Sequence, residues 1–367
     1  MKKIYTQPRT ETVANTPQKM LCASGGIKAQ ISGYKTGSSF TQSVIIGVIC
    51  SSLLFLGTAC STNNNPDQPK QQAELKPRTL IVQTSPQPSP QERGIQRLPQ
   101  ATITDEGTTL DALWEINDAV FYRNLSRNEY IDPDTKKSVP LSGTLRADKA
   151  ERIASFTGGR VWCTADDQLA LIYPNNPVNF TFHDDPLTAS YTISVAGQNG
   201  TLAKLAKDFH HIYGIASVVS VTETTANAEL AEMKSLLTVC KFSFEDENGN
   251  QLPICTLQIN YSGGYYVDTY PQEGKVSIAQ NVSAWDVTVD PVRKTTGEGG
   301  KPLTIDTKGV NPTEVYVALF PDMGVTYSFT VISNTDNAAT DGTYTGTATA
   351  TLNEGEYVVA PLKLTKN

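Results

Sequence analysis

The run Leu237-Thr238-Val239-Cys240-Lys241-Phe242-Ser243-Phe244 leads into Glu245-Asp246-Glu247-Asn248-Gly249-Asn250-Gln251, and then into Leu252-Pro253-Ile254-Cys255-Thr256-Leu257-Gln258-Ile259. Two segments rich in β-branched and aromatic residues flank a polar turn. Asn248-Gly249 is the pair a tight hairpin favours, because both of its central residues take positive φ. This spacing predicts strands over Leu237–Phe244 and Ile254–Ile259, joined through Asp246–Gln251. Cys240 and Cys255 fall on these two apolar runs, where a cross-strand disulfide or a pair of small buried thiols would each fit.

The same grammar extends in both directions. Toward the C-terminus, strands are expected at Tyr265–Tyr270, Lys275–Ile278, Trp285–Val289, Glu314–Leu319, Thr326–Ile332, Thr343–Leu352 and Tyr357–Leu364. Toward the N-terminus they are expected at Gln100–Thr104, Ala119–Tyr122, Arg160–Cys163, Leu169–Tyr173, Asn179–Phe182 and Tyr191–Val195. Each is bounded by Gly, Pro, Asn or Asp, as short sandwich strands are. Thr201–Tyr213 departs from the pattern: Leu202, Leu205, Ala206, Phe209 and Ile212 recur at helical spacing, which predicts a short amphipathic helix ending near Gly214. Ala226–Leu236 is a candidate second helix. The expected fold is mainly β, with two tandem transthyretin-like or Ig-like β-sandwich domains over residues 98–232 and 233–367, and a few short helices in the first.

Residues 1–59 read as a leader. Val44–Ala59 is uncharged and mainly apolar, too short to span a bilayer comfortably but suited to a signal-peptide core. It ends in Leu56-Gly57-Thr58-Ala59-Cys60, a lipobox-like run in which small residues admit a peptidase and the Cys60 thiol takes lipid. The stretch before the apolar core exceeds the few residues usual for a signal peptide. Residues 60–97 then read as a lipidated tether. Within it, 61–78 are linker, Thr79–Thr84 is a strand-like island, and Ser85–Arg93 alternates prolines that forbid regular structure.

Composition narrows the function by exclusion. Charged residues make up 18% of the 367, below the usual quarter, and the polarity comes instead from Thr, Ser, Asn and Gln. Residues 1–60 hold six basic residues and one acid, which leaves 24 basic against 36 acidic residues and a net charge of −12 for the remainder. No nucleic-acid footprint exists in a surface of that sign. The three histidines, His183, His210 and His211, do not converge on a metal site by spacing, and no nucleophile or phosphate-binding motif occurs. The pairs Asp166/Asp167 and Asp184/Asp185 are sequence neighbours on turns, whereas glycoside hydrolysis needs carboxyls facing across a cleft. No catalytic residue, metal or cofactor is expected. Trp114, Trp162 and Trp285 would serve either a sugar platform or ordinary packing.

Several motifs together resemble the fimbrillins, the type V pilins of Gram-negative gut and oral bacteria. Leu169-Ala170-Leu171-Ile172-Tyr173-Pro174 is similar to the family's A-x-Y-P strand, and Val195–Thr201 to its Q-x-G-T turn. Leu236–Phe242 looks like the strand opening its second domain, and Val315–Pro321 with Gly355–Val359 like its last hairpins. Two departures stand out: no His lies near Leu236–Lys241, and no obvious extra strand follows Leu364. The resemblance implies a structural, non-enzymatic subunit of a cell-surface fimbria, exported as a lipoprotein to the outer membrane. It implies other pilin subunits as partners, with host or bacterial surface receptors beyond them. It also implies proteolysis after an arginine, here Arg97 or Arg93, which would release Thr79–Thr84, retain Leu98–Thr104 and open a groove for a neighbour's strand. The alternative is a surface glycan-binding lipoprotein, which requires exposed Trp or Tyr on loops.

Overall fold

A computed structural model describes residues 18–19, 75–84, 102–105 and 110–367, except 152–153, 185–186, 263–267, 282–283, 296–297 and 335–338. The chain divides into one compact unit, Met1–Gly25 with Leu75–Asn367, and a second, Gly26–Glu74, which lies outside the described residues. The chain is mainly β, with 59% strand and 4% helix. In chain order the first half supplies β1 (Lys76–Thr84), β2 (Ala119–Asn124), β3 (Ser142–Ala147), β4 (Phe156–Cys163), β5 (Gln168–Tyr173), β6 (Val178–Asp184), β7 (Leu187–Ser194), β8 (Ile212–Val221) and β9 (Thr225–Leu230). The second half supplies β10 (Thr238–Glu245), β11 (Thr256–Tyr261), β12 (Glu273–Gln280), β13 (Trp285–Pro291), β14 (Leu303–Asp306), β15 (Glu314–Leu319), β16 (Asp322–Ser333), β17 (Gly342–Leu352) and β18 (Tyr357–Lys363).

Seven of these strands join edge to edge in the order β9-β1-β4-β3-β2-β5-β8, and β8 pairs with β9 to close the ring. Leu80, Val82, Trp114, Val120, Leu145, Phe156, Leu171 and Val218 fill it. β5 shows how one strand serves two cores. Its apolar run is unbroken because Leu169, Leu171 and Tyr173 face the ring interior, while Ala170 and Ile172 face outward into a larger core. A strand buried on both faces loses the alternation that marks a half-exposed one. β8 divides the same way: Ile212, Ala216 and Val218 point in, and Tyr213 and Ile215 pack outward.

The larger core is enclosed by three further sheets, β15-β10-β18, β17-β16-β11-β14 and β13-β12-β7-β6. Phe242 and Phe244 of β10 meet Phe329 of β16 at 5.3 and 6.0 Å between ring centroids. Residue 232 falls between β9 and β10, and a β-ladder joins residues on either side of it. β7 pairs antiparallel with β12 from Thr188↔Ala279 to Ser194↔Glu273, because Ala189, Tyr191 and Ile193 share one buried face with Val276 and Ile278. A buried amide makes a second tie. Gln198 donates to the carbonyls of Val195 (2.9 Å) and Ala318 (3.0 Å), and its own oxygen accepts from the Ala318 N–H at 2.7 Å.

Three local expectations are corrected. The Asn248-Gly249 turn forms, with Gly249 at φ +83° and Asp246 accepting from the Asn248 and Asn250 backbone N–H groups at 2.8 Å. Its flanking strands nevertheless part after the Glu245↔Gln251 bridge: β10 goes to β15 and β18, and β11 to β14 and β16. Pro253 offers no N–H to a ladder, and the Ile254 N–H turns away to the Pro312 carbonyl at 2.8 Å. Cys240 therefore lies in β10 and Cys255 just ahead of β11, and neither they nor Cys163 are joined by a disulfide. Second, the expected helix over Thr201–Tyr213 is shorter: an α-turn at Leu202–Lys204, capped by Thr201, runs into a π-turn at Leu205–Phe209, and β8 already begins at Ile212. Leu205, Ala206 and Phe209 are buried as the periodicity requires. Third, Ala226–Leu236 is extended rather than helical, with β9 and the two-residue strand Lys234–Ser235. Ala226, Ala228 and Leu230 are buried at period two, and small side chains suit a strand seated in a closed ring.

Candidate functional site

The feature that most invites a functional reading is the seat of β1. The linker expected through Arg78 ends earlier, because the strand begins at Lys76. Arg78, Leu80 and Val82 are buried and Thr79 and Gln83 are exposed, so the strand alternates cleanly once its charged end is included. Against β4 it runs antiparallel, from Lys76↔Cys163 to Val82↔Phe156, with a bulge between Arg78 and Leu80. Against β9 it runs parallel, from Thr79↔Thr225 to Thr84↔Leu230. β1 is thus the element that joins β4 to β9 and closes the ring.

Arg78 was missed from sequence, since Lys-Pro-Arg looks like solvated linker. The residue is 6% exposed, and its guanidinium donates from Nε to the Thr222 carbonyl and from Nη1 to the Cys163 carbonyl, both at 2.6 Å. Charge-assisted bonds of this kind exceed neutral ones in strength, so one residue pins the strand to both flanking segments. At the other end Thr84 Oγ1 donates to the Ala154 carbonyl at 3.3 Å. A tight neighbouring wall helps: a Cβ on Gly158, the partner of Leu80, would lie 2.4 Å from Leu145 Cδ2 and 3.0 Å from the Thr144 carbonyl oxygen.

The groups beside this seat are electrostatically quiet. Burial, and then the Asp167 charge, push the Cys163 thiol up to about 11, so it stays protonated and poorly nucleophilic. Asp167 is 3% exposed and fully engaged, by Asn124 Nδ2 at 2.8 Å, the Thr164 N–H at 3.0 Å and Arg127 at 3.0 Å. Its sequence neighbour Asp166 is exposed, so the two carboxyls do not face one another. His210 and His211 are buried, while His183 is exposed on β6. Among the described residues no group of His, Cys, Asp and Glu could hold a metal ion. Cys60, Arg93 and Arg97 lie outside the described residues. Of the expected retained strand, Thr102–Asp105 is extended and pairs antiparallel with Leu110–Leu113.

Burial holds the His211 imidazole down to about 4, its nearest polar partner being the Ser194 carbonyl at 3.3 Å. The folded protein keeps this ring neutral above about pH 4, while the unfolded chain takes up a proton near its ordinary 6.5. Stability should therefore fall as pH drops from 6.5 to about 4 and level off below, by about 1.4 kcal/mol per unit and about 3 kcal/mol in all. Urea unfolding at pH 7 and pH 4.5 should show that slope, and His211→Gln should remove most of it. An identical acid sensitivity in both proteins would contradict the assignment.

No family model matches the sequence, and no curated protein matches it. Among solved structures, a candidate cell adhesion protein from Bacteroides uniformis shares 12% identity at a TM-score of 0.37, over 64% of this chain and 91% of that one. Another from Bacteroides eggerthii shares 9% at 0.39, over 80% and 87%. The shaft pilin SpaA of Lactobacillus rhamnosus GG shares 9% at 0.28, over 79% and 97%.

Proposed function

We propose that this chain is a pilin of a cell-surface fimbria, exported as a lipoprotein on Cys60 and assembled by strand exchange at the seat of β1. The observation that carries the reading is the position of β1: an N-terminal strand, separated from the body by a proline-rich segment, that among the described residues is the one link between β4 and β9. Cleavage after Arg97 would free residues 60–97, and cleavage after Arg93 would free residues 60–93, in either case as a single piece. Its loss would leave two unpaired strand edges and the apolar sockets of Leu80 and Val82, which is a template for an added strand. The incoming strand would come from another subunit. The lipid would hold the precursor at the outer membrane until that exchange, since several acyl chains together anchor firmly.

The test is N-terminal sequencing of this protein recovered from surface fibres. Chains should begin at Leu98, or at Gly94 for the second site. Recovery of chains that all begin at acylated Cys60 would overturn strand exchange and leave an anchored role.

A further inference from the structure

A second feature lies on the outer wall of the ring, away from the β1 seat, and does not depend on strand exchange. Between β8 and the turn joining β12 to β13 runs an open cleft of about 740 Å3. Ligand clefts span roughly 300–1,000 Å3 and combine apolar walls with a few convergent polar groups. One wall carries Tyr213 and Ile215 of β8 and the other carries Trp285, the first residue of β13. All three are half-buried and packed against the larger core, so the apolar surfaces they present are held in place rather than free to collapse.

The rim chemistry selects the ligand. Gln168, Gln280 and Asn281 contribute planar amides, each able to donate and accept at once. Ser126 and Ser217 add hydroxyls; Ser217 Oγ donates to Gln168 Oε1 at 2.9 Å and the Gln168 NH2 group donates to the Asp166 carbonyl at 3.4 Å, which holds that amide in place at the rim. Of the ionisable side chains on the lining, Lys234 is already paired with Glu232 at 3.1 Å, and Asp166 adds a negative charge. A cleft of that balance repels phosphates, sialates and uronates. A purely apolar ligand would strand its amides. Aromatic side chains on two walls, with amides and hydroxyls at the rim, suit a ring that is apolar on its faces and hydroxylated at its edge.

We propose that this cleft binds a neutral oligosaccharide, with Trp285 and Tyr213 stacking on sugar faces and Gln168, Gln280 and Asn281 reading their hydroxyls. The full chain would be titrated with cellohexaose, mannohexaose, xylohexaose and lacto-N-tetraose, with polygalacturonate as the anionic control, by calorimetry and tryptophan emission. At least one neutral sugar should bind and alter the emission, and Trp285→Ala and Gln280→Ala should each weaken it at least tenfold. Gln280 is exposed and outside the core, so Gln280→Ala separates lost recognition from lost folding. Three results would overturn the proposal: no neutral probe binding at millimolar concentration, polygalacturonate binding as well as any of them, or unchanged affinity in Gln280→Ala. None of these bears on where fibre-derived chains begin, so the two readings fail separately.

Discussion

Leu80→Asp should unfold the ring, whereas Thr79→Asp, one residue away on the same strand, should leave it nearly untouched. Leu80 is fully buried between β4 and β9, and Thr79 faces solvent. A carboxyl in the Leu80 socket would have to stay protonated at neutral pH, about three pH units above where it ordinarily ionises, which costs about 4 kcal/mol. Losing the leucine's burial adds about 2 kcal/mol. The sum of about 6 kcal/mol rivals the roughly 5–15 kcal/mol that holds a whole domain together. Thr79→Asp should fall within about 0.5 kcal/mol, as exposed substitutions do. Urea unfolding of both variants checks this, and equal stability of the two would mean that β1 does not close the ring.

Trp114→Ala should be the second large loss. Trp114 is 1% exposed and sits where β4 begins and β5 ends, edge-on to Phe156 at 4.8 Å and to Tyr173 at 5.5 Å. Truncation removes two edge-to-face contacts and leaves a void that the closed ring cannot collapse to fill, for about 3–5 kcal/mol. Trp114→Phe should recover more than half of that, because a smaller ring still meets both partners. Thermal or urea melts measure both. Wild-type stability in Trp114→Ala would place this residue on the surface.

The strands were legible because period-two burial and turn residues are local signals. Lys76–Pro77–Arg78 was not legible as strand, since a buried arginine is recognisable only once the Thr222 and Cys163 carbonyls are in place to receive it. Ala226–Leu230 carries alanines that suit helix and strand alike, and its neighbour β1, distant in sequence, decides the matter. The Asn-Gly turn forms as its residues require, but the strands it joins do not pair with one another. A turn fixes a reversal of direction, but which sheet each arm enters depends on non-local partners such as Pro312. The cleft was legible only in pieces: Trp285 stood out as a residue type, but nothing near it in sequence points to Tyr213 or Gln168. Such sites are assembled by strand pairing and so have no linear motif.

The antiparallel ladder between β7 and β12, together with the clamp that Gln198 forms on Ala318, has a mechanical consequence. A protein built as two beads on a string would yield first at the string, by hinging at small force. Here the join is seven consecutive paired residues and an amide that makes two hydrogen bonds to Ala318, so the halves can part only when these bonds rupture. Pulled end to end, the molecule should extend in one abrupt event rather than bend and then stretch, which makes it a stiff link wherever it carries load.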